Sequence, residues 1–173
     1  MFASLRNLSP ALKALLALLA AAVLIGGGWF AWWTLSPLFL NRTVSEDLTA
    51  PTSQGAEAVS ADDLQVLLSG TFQGADDFHQ VSGVANVIDR GSDRILRLEE
   101  DFSSTNGPDL FVWLVQGEVY DEGVLDLGPL KGNQGSQNYT IPEGTDLAQY
   151  DRVIIWCRTF GVLFGGAPLA PSS

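Results

Sequence analysis

Residues 152–169 read RVIIWCRTFGVLFGGAPL. Two apolar stretches, 152–158 and 161–164, flank a turn containing Gly161, and both predict strands. If 153–158 is extended, Val153, Ile155 and Cys157 share one face and Ile154, Trp156 and Arg158 the other. Cys157 is the single cysteine of a 173-residue chain. The fold turns on whether the rest of the chain repeats this strand–turn rhythm.

It does, as far back as about residue 69. QNYTI (137–141) reads as a strand ended by Pro142, after the loop GPLKGNQG (128–135). Residues 117–127 form a mixed segment around a turn. DLFVWLV (109–115) is a continuous apolar run, too short for a typical helix, which fits a strand buried on both faces. In 94–102 the pattern alternates: Leu96, Leu98 and Phe102 on one face, Arg97, Glu99 and Asp101 on the other. HQVSGVANVI (79–88) and the short 70–72 complete the set. A spacing of roughly ten residues with Gly and Pro turns predicts an all-β domain, a β-sandwich or barrel, over 69–169. Residues 170–173 are a tail. Trp113, Trp156 and Phe160 read as core, with stacking on a sugar or haem face as the functional alternative.

Upstream, 36–68 mixes Pro, Thr, Ser, Gly and Ala with scattered acids and reads as a flexible linker. Within it, 59–68 predicts a short helix with Ser60 or Asp62 as N-cap. Residues 14–33, ALLALLAAAVLIGGGWFAWW, are uncharged and long enough to cross roughly 30 Å of hydrocarbon as a helix. Trp29, Trp32 and Trp33 cluster at the far end, where amphipathic rings prefer the interface. The expected organisation is a cytoplasmic N-terminus (1–13), a transmembrane signal anchor (14–35), the linker and the β domain. Arg6 and Lys13 precede the helix, so the domain is expected outside the cytoplasm, periplasmic or at the cell surface. The apolar run exceeds a cleaved signal peptide's usual core, and no small-x-small site directly follows it. No cysteine follows it either, as a lipoprotein would need.

Charge is as uneven as hydropathy. From residue 44 onward six Lys and Arg face all twenty Asp and Glu, a formal balance of −14. That excludes nucleic acid, which is bound by basic neutralisation of phosphate, and disfavours anionic lipid. Acidity of this kind serves solubility and repulsion between copies.

Four ordered segments carry a family resemblance: GTFQGADDFHQVSGVANV (70–87), LRLEEDFSSTNGPDLFVWL (96–114), LDLGPLKGNQGSQNYTIP (125–142) and YDRVIIWCRTFGVLFGGAPL (150–169). This stretch resembles the DM-thirteen domain family, an extracytoplasmic domain often found beside DOMON domains. The resemblance implies a β-rich fold and a part in electron transfer, with the cysteine acting as a thiol or as ligand to a prosthetic group such as haem.

On that implication Cys157 is the redox candidate and a candidate cofactor ligand. His79, the only histidine, is a second soft donor. The cofactor itself stays unknown; the absence of a cysteine pair argues against covalent haem. From the residues alone, Cys157 reads equally as a packed thiol and His79 as a strand-edge side chain beside Asp76 and Asp77. Glu99, Asp101 and Asp109 are oxygen donors of the kind calcium takes, though such a run is more often a solvated turn. Neither a hydrolase constellation nor a phosphate-cradling loop is visible, since Gly132–Gly135 lacks a following helix. The expected function is a membrane-tethered redox module with a redox partner protein. The alternative is a non-catalytic binding or scaffold domain for carbohydrate or a surface protein, with Cys157 structural.

Overall fold

The computed structural model describes residues 9–35, 40–49, 60 and 63–172. They divide into an N-terminal helix and a β domain that begins at Leu40.

The helix, α1, spans Pro10–Leu35. Ser9 caps it, its hydroxyl accepting the Leu12 N–H at 3.3 Å, and Pro10 occupies the first-turn position where a missing N–H costs nothing. Its segment Pro10–Trp32 has a mean hydropathy of 2.2 and is long and apolar enough to cross a membrane.

The described residues of the domain form twelve strands: β1 Gln65–Thr71, β2 Gln73–Gly74, β3 Val81–Ser82, β4 Val84–Asp89, β5 Arg94–Leu98, β6 Ser103–Ser104, β7 Leu110–Val115, β8 Leu125–Pro129, β9 Gln137–Ile141, β10 Arg152–Cys157, β11 Val162–Pro168 and β12 Ala170–Pro171. One sheet runs β12-β1-β4-β5-β9 and a second β2-β11-β10-β7-β8, while β3 and β6 pair separately. All of these strand pairings are antiparallel. Alternation does the packing. Val87, Leu96 and Leu98 from the first sheet meet Val112, Leu114, Val153 and Ile155 from the second in one buried core. The domain is therefore an all-β sandwich.

Three expectations change. Residues 65–68 are strand, not helix, because β1 pairs along β4 from Gln65↔Asp89 to Thr71↔Val84; a continuous partner outweighs a weak local helix pattern. Of the remaining residues of that expected helix, 59, 61 and 62 lie outside the described ones. The 79–88 strand breaks at Gly83 into β3 and β4.

The third change concerns the linker. Residues 41–48 form a strap across the domain. Val44 N–H donates to Gln134 O at 2.9 Å, Gln134 N–H to Arg42 O at 3.3 Å and Glu46 N–H to Ser136 O at 3.0 Å, an alternation that makes a parallel ladder. The Glu46 carboxylate accepts from Lys131 Nζ at 2.8 and 2.9 Å and from the Asn138 N–H at 2.7 Å. Arg97 and Arg90 donate to the Glu46 and Leu48 carbonyls at 3.1 Å each. The glycines of the loop GPLKGNQG make room for this. A Cβ at Gly132 would stand 2.4 Å from Arg42 O, and one at Gly135, whose φ is +84°, 2.2 Å from Val44 O. Composition alone gives no hint of the docking, since the strap's partners lie between 42 and 92 residues downstream.

Candidate functional site

Cys157 ends β10 on its inner face, opposite Leu110 of β7 and Val162 of β11. It is completely buried within the apolar core. The thiol is free. No hydrogen bond to the sulfur forms among the described residues. Val153 and Ile155 share its face, as the alternation predicts, and Trp156 faces the other way.

His79 lies at the surface of the same end of the sandwich. The Ala75 N–H donates to Phe164 O of β11 at 3.0 Å, and this lays the 75–80 loop beside β11. The His79 ring packs on the Phe164 ring, centroids 4.6 Å apart, and Phe164 belongs to the core that holds Cys157. The fold thus brings the two soft side chains to one end, with Phe164 packed against His79. Asp76 organises the loop. Its Oδ1 accepts the Phe78 and His79 N–H groups at 2.8 and 2.7 Å, and its Oδ2 lies 2.7 Å from His79 Nδ1. The bond from the His79 ring, followed by the two backbone bonds, holds the Asp76 carboxyl down at about 2.

The carboxylates considered for calcium are separately engaged. Glu99 pairs with Arg97 at 3.0 Å and accepts from Asn86 at 2.8 Å. Asp101 accepts the Val84 N–H at 3.2 Å and Asp109 the Thr159 hydroxyl at 3.2 Å. Among the described residues no group of three or more His, Cys, Asp and Glu side chains is arranged to hold a metal.

A haem-like group does not fit against the sulfur as the chain is folded here. The face of β10 that bears Cys157 is filled by Leu110, Val112 and Phe164, all buried. Of the three described cavities, the largest, about 410 Å³, lies between the strap and Phe102, and none is lined by Cys157 or His79.

The aromatic residues depart from the expected core. Trp113 and Trp156 lie on the outer face of the second sheet, half-buried and stacked at 5.3 Å with 23° between planes. Tyr120 closes on Trp156 at 5.3 Å, and the Arg158 guanidinium sits 3.5 Å over Phe111. Phe160 is 69% exposed. The reason is register: β7 and β10 alternate, so the large rings take the face opposite Val112, Leu114, Val153 and Ile155. The Trp113 Nε1 is buried and has no hydrogen-bond partner among the described residues.

Sequence reasoning missed Phe78, 84% exposed at the tip of the 75–80 loop. It also missed the Glu46–Lys131 pair, although Lys131 is the only lysine after residue 13 and sits in a Gly-rich loop, an isolated cation in an acidic domain.

The geometry defines a small antiparallel sandwich with one buried thiol at one end. A family model described as Electron transfer DM13 matches residues 71–169, the span from the end of β1 through β11 that includes His79 and Cys157. The chain belongs to this family, which supports a redox or electron-transfer module in general. The match begins after the strap and most of β1. No curated protein and no solved structure gives a significant match.

Proposed function

We propose that this chain is a membrane-tethered, extracytoplasmic electron-transfer module whose redox-active atom is the sulfur of Cys157. Membership of the electron-transfer family, over a span that contains the only cysteine, carries the reading. The apolar helix supports the tether. Arg6, before the helix, and Lys13, in its first turn, support a cytoplasmic N-terminus. Complete burial argues that the sulfur meets electrons through the protein rather than a bulky reactant directly. His79, stacked on Phe164 at the same end, is the second soft donor and the weaker candidate. A redox partner protein completes the scheme.

A second reading keeps Cys157 structural and makes the domain a binding or scaffold module for carbohydrate or a surface protein. The sulfur's apolar surroundings favour it, since a free cysteine packs as a small hydrophobe. So do the stacked Trp113 and Trp156, whose faces suit a sugar ring.

One experiment separates them. Electron exchange with a one-electron mediator is followed in the full chain and in Cys157→Ala, with alkylation of native and unfolded wild type alongside. Loss of exchange in a folded Cys157→Ala supports the redox sulfur. Undiminished exchange, with alkylation only after unfolding, assigns Cys157 to packing and puts the second reading first.

A further inference from the structure

Phe78 and Phe160, 84% and 69% exposed, are the two most exposed large apolar side chains among the described residues of the β domain. They come from separate loops that the register gathers at one end. Phe160 lies in the turn joining Cys157 to Val162, which pair across β10 and β11. Phe78 lies in the loop that Ala75 ties to Phe164 of β11. The bond from the Thr105 N–H to Gln80 O, and that from the Glu99 N–H to Val84 O, bring the 99–105 connection alongside. Little in the isolated domain rewards two phenylalanines at loop tips, because both side chains leave most of their apolar area in water.

The rim of this end is acidic. Asp76, Asp77, Glu100 and Asp101 are exposed and Asp109 is half-buried. Of the arginines nearby, Arg158 is engaged, pairing with Asp126 and lying over Phe111; Arg42, exposed on the strap beside Asn133, sets one positive charge against four exposed carboxylates. An anionic bilayer or nucleic acid is therefore repelled, while a cationic surface is attracted. A small apolar centre inside a predominantly acidic rim fits a transient protein complex, with charge speeding encounter and aromatic contacts holding it.

We propose that this end is the docking surface for a basic, lysine-rich one-electron carrier protein. Phe78 and Phe160 are the anchors, and the carboxylates at Asp77 and Glu100 steer the approach. The proposal rests on the electron-transfer reading and places the partner over the end of the sandwich where Cys157 lies.

The test uses the full chain in nanodiscs of zwitterionic lipid, with a basic c-type cytochrome as the probe. Association is measured against ionic strength. Wild type is expected to bind, with affinity that falls as salt rises. Phe78→Ser/Phe160→Ser is expected to weaken binding about tenfold or more with the melting temperature unchanged, both side chains being exposed. Asp77→Asn/Glu100→Gln is expected to slow association and flatten the salt dependence. Tyr120→Ser, on the outer sheet face, should leave binding intact. Salt-insensitive or absent binding, or binding untouched by the paired Phe substitution, overturns the proposal. A redox titration of the chain alone keeps the two readings apart. A chain that titrates but does not dock loses only this proposal, and one that does not titrate loses the electron-transfer reading.

Discussion

Cys157 is enclosed by apolar neighbours, and a buried polar atom without a partner costs about 1–3 kcal/mol. Cys157→Ser trades a weak donor for a hydroxyl at the same place. It is expected to lower stability by about that amount, read as a fall in urea midpoint at unchanged slope. An unchanged midpoint would mean the position is open to water. Asp76 behaves oppositely, as a surface carboxylate held ionised by donors. Its folded value, about 2, lies below the ordinary 3.8. The stability it lends is full above about pH 5 and is lost progressively as pH falls through 2. The difference in melting temperature between wild type and Asp76→Asn should therefore be constant above about pH 5, be mostly gone at pH 2 and vanish toward pH 1. A difference undiminished at pH 2 would sink this account. That Cys157 shares its face with Val153 and Ile155 was legible, because strand alternation is a local property; which face turns inward was not. That His79 stacks on Phe164 was not, since two loops distant in sequence had first to meet.

Among the elements, the strap carries the least local information and the most specific contacts. Of the six buried polar or charged side chains among the described residues, Arg90, Asn133, Ser136 and Asn138 all bond to it. Gln137 and Tyr139 brace the loop beneath. The Tyr139 hydroxyl donates to Gln137 Oε1 at 2.9 Å and accepts the Lys131 N–H at 3.0 Å, and burial pushes the phenol well above its ordinary value. The strap's own residues read as spacer because their side chains are small or charged; what holds them is mainly backbone hydrogen bonding to a partner that exists only after folding. Gly135→Ala puts a Cβ where Val44 O lies, at a φ that L-residues avoid. It is expected to cost about 1–3 kcal/mol and to abolish hydrogen-exchange protection at Val44 and Glu46 while that of β5 and β10 persists. Retained protection at Val44 would show that the strap does not need the glycine. The outer-face tryptophans teach the same lesson for β7 and β10. An apolar run reveals that a strand is well covered, but which face takes the large rings depends on the sheet across the core.

At the scale of the whole molecule, a very apolar helix and a strongly acidic domain occupy one chain. Only the helix is read as meeting lipid, so the full chain is expected to stay in the membrane fraction after alkaline carbonate washing. A fragment beginning at Leu40 is expected to be released. A reporter fused after Ser173 should be active on the extracytoplasmic side; activity on the cytoplasmic side would reverse the proposed orientation. The sequence by itself determined the apolar span, the acidity, the all-β class and which residues share a face with Cys157, because hydropathy, charge and alternation are summed over neighbours along the chain. Only the tertiary structure decided that residues 41–48 of the supposed linker form a docked strap, that Trp113, Trp156 and Phe160 stand outside the core, and that Phe78, His79, Phe160 and Cys157 share one end. Those facts depend on pairings between segments tens of residues apart, whose free energy is realised only when both sheets are in place.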